Sequence, residues 1–208
     1  MRPFTRLTAL ACPLPFMGVD TDQLIPARFM SRPRSEGYGD FLLYDRRRDD
    51  AGDLDPAFPI NDPDRAGAEI LVAQRNFGGG SSREAAVYAL VDAGFRTVIA
   101  PTFGDIFANN AVNNGLLPAR VPEADGEAIL AAIAGGLREI TVDLETQEIT
   151  AGEIRTSFEI DPISRKKLLN GWDDLDLTQS YADDIAGFAK ADAARRPFAH
   201  LVNIPRSD

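Results

Sequence analysis

The stretch Ile70-Leu71-Val72-Ala73-Gln74-Arg75-Asn76-Phe77-Gly78-Gly79-Gly80-Ser81-Ser82-Arg83-Glu84 joins four consecutive apolar residues to a glycine-rich turn and then to the helix-like run AAVYALVDAG. Four uninterrupted apolar positions read as a strand buried on both faces, the habit of parallel sheets. The three glycines permit positive φ and a close approach of backbone to a neighbour or ligand. The helix start that follows offers unpaired N–H groups and the positive end of the helix dipole, a seat for an anion.

Working outward, Thr97–Ala100 (TVIA) reads as a second buried strand, PTFGDIFANNAVNNG as a helix closed by Gly115, LLPARV as a short strand and EADGEAILAAIAGG as a helix. Strand, helix, strand, helix, strand with apolar strands implies parallel pairing through right-handed crossovers. Toward the N-terminus, residues 5–12 (TRLTALAC) form a candidate first strand, and GVDTDQLIPARF follows with turn formers Gly18 and Asp20 and a break at Pro26. Residues 31–67 are rich in Arg, Asp, Gly and Pro around one apolar island, FLLYD, and read as a long surface loop or flap. In the last third, EITVDLETQEITAGEIRTSFEI alternates like antiparallel strands turning near Glu145-Thr146, and SRKKLLNG and SYADDIAGFAKADAARR close the chain as helices. The expectation is one α/β domain of three layers with a mixed sheet.

Composition removes several function classes. The net charge of −10 argues against nucleic acid or an anionic membrane as main partner. Arg46-Arg47-Arg48 runs directly into Asp49-Asp50 and reads as a solvated face. With one cysteine, Cys12, and one histidine, His200, the chain has no material for an internal disulfide, a zinc site or an iron–sulfur site of its own, nor for a Ser-His-Asp or Cys-His nucleophile. His200, in RPFAHLV, reads as an ordinary packed or exposed histidine. The start MRPFTRLTALAC has an apolar segment too short for an export signal, interrupted by Pro13 and Pro15, so a cytoplasmic chain is expected.

The glycine turn is not a Walker A loop, because no Lys-Ser/Thr pair follows Gly80, and it is not a dinucleotide fingerprint, because Arg83 stands where a third small residue belongs. Two hydroxyls, a helix start and a guanidinium able to grip a carboxylate through two parallel hydrogen bonds suit a small dicarboxylate or a phosphate. The same residues also read as a capping box, with Ser81 as N-cap and Glu84 reaching back. That second reading accounts for Ser81 and Glu84 and leaves Arg83 and three glycines without a reason. In GVDTDQLIPARF, the two aspartates around Thr21 read as a turn with side-chain-to-backbone bonds. The four asparagines of GDIFANNAVNNGLLP read as helix-end caps or as a polar cleft wall.

Taken together, GVDTDQLIPARF, ILVAQRNFGGGSSRE, GFRTVIAPTFGDIFANNAVNNGLLP and KKLLNGWDDLDLTQSYADDIAGF with ARRP resemble, in order and over nearly the whole chain, the small subunits of 3-isopropylmalate dehydratase in the aconitase superfamily. The resemblance implies a swivelling β/β/α fold like aconitase domain 4, over 1–208 as a single domain, with a mobile substrate loop around 29–67. It implies a small subunit that binds no cofactor itself and completes the active site of a large subunit carrying a [4Fe-4S] cluster. The reaction would interconvert 2-isopropylmalate and 3-isopropylmalate through isopropylmaleate, a step of leucine biosynthesis. By motif, Ser81 is the proton-abstracting base, Ser82 and Arg83 bind substrate carboxylate, Arg28 lies near the variable part of the substrate, and Asp22, Gly78, Gly79 and Gly80 support the site. Two positions depart from the usual NFGCGSSREH: the cysteine is Gly79 and the histidine is Ala85. The GFGxHLFxDWR segment reads Gly37-Tyr38-Gly39-Asp40-Phe41-Leu42-Leu43-Tyr44-Asp45-Arg46-Arg47. These departures leave open a paralogue acting on citraconate or another alkylmalate, and a non-catalytic regulatory module of the same fold. A phosphate-ligand domain built on the glycine turn is a third reading.

Overall fold

The computed structural model describes residues 1–199. Seven strands, β1 Arg6–Leu14, β2 Ile70–Ala73, β3 Thr97–Ala100, β4 Leu117–Arg120, β5 Glu139–Asp143, β6 Glu148–Ala151 and β7 Ile154–Ser157, form one mixed sheet in the order β4-β3-β2-β1-β5-β6-β7. β1 changes role along its length. Its first half, Arg6–Leu10, pairs antiparallel with β5, and its second half, Ala11–Leu14, pairs parallel with β2. The strand continues through Pro13, beyond the expected end at Cys12. On the β5 side Ala11 N–H still donates to Arg138 O at 2.8 Å, but strand pairing there has already ended at Leu10. The N–H that proline lacks would point to that same side, where no ladder needs it.

The helices are α1 Thr21–Leu24, α2 Glu84–Asp92, α3 Asp105–Asn113, α4 Glu123–Ala134 and α5 Pro162–Asn170. Two buried cores lie on the two faces of the parallel strands, and alternate residues serve each, which is why ILVA and TVIA are apolar without interruption. Leu71, Ala73, Val98 and Ala100 join one core with Leu42, Leu43, Ala86, Leu90 and Phe107. Ile70, Val72, Ile99 and Leu117 join the other with Ile129, Ile133, Ile140, Val142, Ile149 and Leu168. Each such Leu or Ile side chain contributes roughly 1.5–3 kcal/mol by leaving water. Thr97, the one polar residue in β2 and β3, is fully buried and satisfied: its hydroxyl donates to Leu117 O at 2.9 Å.

Residues 31–67 hold no strand, only one-turn 3-10 segments at Arg34–Glu36, Gly39–Phe41, Pro59–Asn61 and Pro63–Arg65, as their Pro, Gly and Asp content favours. The apolar island of this segment closes the first core, with Leu42 and Leu43 fully buried. Leu43 N–H donates to Leu24 O at 2.9 Å, and Phe41 stacks on Phe29 with centroids 4.3 Å apart. A separate compact unit begins at Asp174 and carries α6 Asp174–Gln179 and α7 Ala182–Arg195. α7 has Asp183 and Asp184 in its first turn and Arg195 in its last, charges that complement the helix dipole. His200 lies outside the described residues. No described helix is long and apolar enough to cross a membrane.

Cys12 sits in the first core, 1% exposed, and burial pushes its thiol up to about 12, with Arg65 pulling weakly the other way. A folded-state value above the ordinary thiol range favours the neutral form. The associated stability is therefore complete below about pH 8.5 and is lost as pH rises toward 12. A thiol reagent at pH 8 is expected to leave the native chain unmodified over hours and to label one thiol promptly in urea. Fast labelling of the native protein would contradict this burial.

Candidate active site

The parallel strands do not stop where their ladders are shortest; their ends continue as paired backbone and so bring three loops into line. On one side of the glycine neck, Gly18 N–H donates to Arg75 O at 3.0 Å, Gly78 N–H to Val19 O at 2.7 Å and Thr21 N–H to Gly79 O at 3.0 Å. On the other side, Phe77 N–H donates to Thr102 O at 3.0 Å and Gly104 N–H to Phe77 O at 2.9 Å. The segments following β1, β2 and β3 thus lie side by side beyond the carboxyl ends of three adjacent parallel strands. Open α/β sheets bind their ligands at this edge.

Two of the neck glycines are dictated by space. Gly78 has φ +70°, and a Cβ there would meet the Phe107 ring at 2.2 Å. A Cβ on Gly104 would stand 2.5 Å from Gly78 O. Gly79 differs: its φ is ordinary, and a Cβ would only press on the Asn76 side chain at 3.0 Å. Gly80, at φ +87°, turns the chain toward Ser81.

Beyond the neck, Ser81 and Ser82 are exposed. The capping box expected here does not form. α2 begins at Glu84 with an extended Arg83 as its N-cap, and no side chain caps it. Glu84 instead accepts from Asn114 Nδ2 at 2.9 Å, which draws its carboxylate toward the end of α3. The hydroxyl of Ser81 is consequently not tied up as a helix cap. Burial and, secondarily, the hydrogen bond with Glu84 raise the Tyr88 phenol above its ordinary value.

Arg83 is held by Asp22, whose carboxylate pairs with Nη2. The short helix α1 places that carboxylate: Asp20 caps it by accepting from Gln23 N–H at 2.7 Å, leaving Asp22 half-exposed in the first turn. The Arg83 side chain is only 16% exposed, and its Nη1 is buried without a hydrogen-bond partner. A buried charged donor left unpaired costs on the order of 1–3 kcal/mol or more, so this guanidinium is incompletely satisfied. Ser81, Ser82, Arg83, Asp22 and the glycines are therefore neighbours on one edge.

Arg28 is engaged elsewhere. Its guanidinium forms a two-pronged pair with Asp45, one prong at 2.8 Å, and lies 4.6 Å from the Phe29 ring centroid. That hydrogen bond is the main reason the Asp45 carboxyl is held below its ordinary value. Of the asparagines, Asn114 links α3 to Glu84 and Asn113 accepts from Lys167, while Asn109 lines a cavity of about 580 Å³. That cavity lies between α3 and the segment around Glu159–Ser164 and includes neither Ser81 nor Arg83. The candidate site is an exposed edge rather than an enclosed volume, and a partner surface would be needed to close it. One contributor escaped the sequence reading: Thr21, dismissed as a turn residue between two aspartates, sends its hydroxyl to Ser81 O at 2.7 Å. No sequence signal marks it, since the carbonyl that it reaches lies sixty residues on.

Among the described residues no group of three or more His, Cys, Asp or Glu side chains is placed to hold a metal ion. Residues 1–124 match the family described as Aconitase C-terminal domain, and residues 127–162 match the one described as LeuD_N. The chain is 46% identical over 200 residues to the 3-isopropylmalate dehydratase small subunit of Bifidobacterium longum subsp. infantis, covering 95% of this chain and 85% of that one. It is 43% identical over 196 residues to the small subunit of the same name from Geobacillus kaustophilus, covering 94% of this chain and all of the relative. The chain belongs to the 3-isopropylmalate dehydratase small-subunit family. A crystal structure titled 3-isopropylmalate dehydratase from Methanocaldococcus jannaschii shares the fold, with TM-score 0.62 at 24% identity over 88% of this chain and 98% of that one. Family membership and fold thus agree with what the motifs implied.

The neck geometry separates its glycines experimentally. Gly78→Ala is expected to lower stability by more than about 2 kcal/mol in urea titration, through positive φ and collision with Phe107. Gly79→Ala should stay within about 1 kcal/mol of the parent, because only the Asn76 amide must yield. Equal losses at the two positions would refute this account of the neck.

Proposed function

We propose that this chain is the small subunit of a hydro-lyase that interconverts 2-isopropylmalate and 3-isopropylmalate, working in the cytoplasm with a large subunit. The observation that carries the reading is an exposed, uncapped Ser81 hydroxyl two residues from a guanidinium that Asp22 holds and that retains an unsatisfied donor. The relatives' shared name supplies the reaction class.

Ser81 Oγ takes the proton from the carbon beside a substrate carboxylate, the C–H electron pair becomes the new C=C bond, and the C–O bond to the hydroxyl breaks. Proton and hydroxide together make the water that leaves. Water then adds back the other way round: its oxygen bonds to the carbon that lost the proton, and Ser81 delivers a proton to the carbon that lost the hydroxyl. Arg83, with Ser82, holds the carboxylate; a small rotation exposes the buried Nη1 to it and satisfies that donor. Positive charge from Arg83 and the uncapped start of α2 favours the alkoxide form of Ser81. A [4Fe-4S] cluster on the large subunit would supply Lewis acidity toward the departing hydroxyl. Cys12, buried and with its thiol pushed up to about 12, does not fit as a cluster ligand on this chain.

Arg28 enters the proposal at the variable side of the substrate, where contact would exchange the Asp45 carboxylate for that of a ligand. The 29–67 segment is proposed as the loop over that side.

In complex reconstituted anaerobically with its large subunit, Ser81→Ala is expected to lower kcat at least 10²–10⁴-fold while assembly is unchanged. Arg83→Lys should raise KM for 2-isopropylmalate at least tenfold, since an ammonium cannot reproduce the planar fork. Near-parental rates for Ser81→Ala would remove the base from the proposal. Hydration of citraconate or another alkylmalate in preference to isopropylmaleate would reassign the substrate, and no hydration of any of them would make this a regulatory module.

A further inference from the structure

We infer that Thr21 is a positioning residue for Ser81, an inference that rests on the proposed role of Ser81 as base. The backbone ladder between residues 18–21 and 75–81 has a definite end. It runs Gly18 to Arg75, Gly78 to Val19 and Thr21 to Gly79, and then α1 begins. From there the N–H groups of the first segment turn into the helix: Leu24 N–H goes to Asp20 O and Ile25 N–H to Thr21 O. The N–H two residues beyond Thr21, that of Gln23, goes to the Asp20 carboxylate at 2.7 Å and not to the next acceptor on the neck, the carbonyl of Ser81. The Thr21 hydroxyl takes that place, donating to Ser81 O at 2.7 Å.

The consequence is a base anchored through its own main chain. Ser81 is exposed and follows Gly80, which turns the chain at φ +87°. Its side chain makes no helix cap, so the hydrogen bond from Thr21 is a principal restraint on where Oγ stands. Thr21 itself is 2% exposed, with its N–H on Gly79 O and its hydroxyl on Ser81 O. It therefore ties two points of the neck to α1, the helix that also carries Asp22 to Arg83. One residue sets the spacing between base and guanidinium. It touches no reacting atom.

The test compares Thr21→Val, which keeps the shape and removes the donor, with Thr21→Ser, which keeps the donor. In the reconstituted complex, Thr21→Val is expected to lower kcat for 2-isopropylmalate about 10- to 100-fold with KM within about twofold, because a small misplacement of a catalytic group has effects of that order. Thr21→Ser should recover most of kcat. Amide hydrogen exchange on the small subunit alone provides a readout independent of turnover: Thr21→Val should speed exchange across residues 80–83 at least tenfold, with the core strands unchanged, and Thr21→Ser should restore it. Unchanged exchange and unchanged kcat in Thr21→Val would overturn the inference. So would a Thr21→Ser variant as slow as Thr21→Val, which would point to packing rather than the hydroxyl. If the parent complex itself fails to turn over any alkylmalate, the functional reading falls, while the exchange experiment still decides whether Thr21 fixes the neck.

Discussion

The candidate site depends on main-chain pairing that persists after the strands have formally ended. Val19, Gly78, Phe77 and Gly104 continue the parallel ladder by one or two rungs, and these rungs lock three loops to one another. Such pairing requires the backbones to approach more closely than side chains allow, and the glycines at 78 and 104 meet that requirement. Once the loops are locked, the placement of Asp22 against Arg83 follows from the one-turn helix that Asp20 starts. The two buried cores serve this arrangement by fixing the strand ends from both faces.

Much of the fold was legible because burial on both faces writes itself plainly into sequence. ILVA and TVIA announced parallel strands, and the alternation after Glu139 announced the antiparallel meander β5–β7. Boundaries were less legible where the deciding partner is distant. Pro13 ended the expected first strand, yet β1 runs on to Leu14, since the missing donor falls where β5 no longer pairs.

At the candidate site, the residues that the sequence singled out, Ser81, Ser82, Arg83 and Asp22, lie together, but their hydrogen bonds differ from those expected. Ser81 and Glu84 have capping-box spacing, and local spacing cannot reveal that Asn114, thirty residues away, draws Glu84 aside. Nor could it reveal Thr21, since its partner carbonyl is sixty residues on and any residue offers a carbonyl. Arg28 and Asp45 are likewise a tertiary pair with no local signature. Side-chain-to-backbone bonds across long separations leave no pattern in a single sequence.

The ordinary φ of Gly79 gives the neck an uneven tolerance to change. Its neighbours at 78 and 80 are fixed by positive φ, and 78 also by an aromatic ring, whereas 79 could carry a side chain at the modest cost of moving one amide. Chemical character can therefore be exchanged at that single slot while the scaffold stays in place, so divergence between related chains there would alter the surface offered to a ligand and not the architecture that offers it.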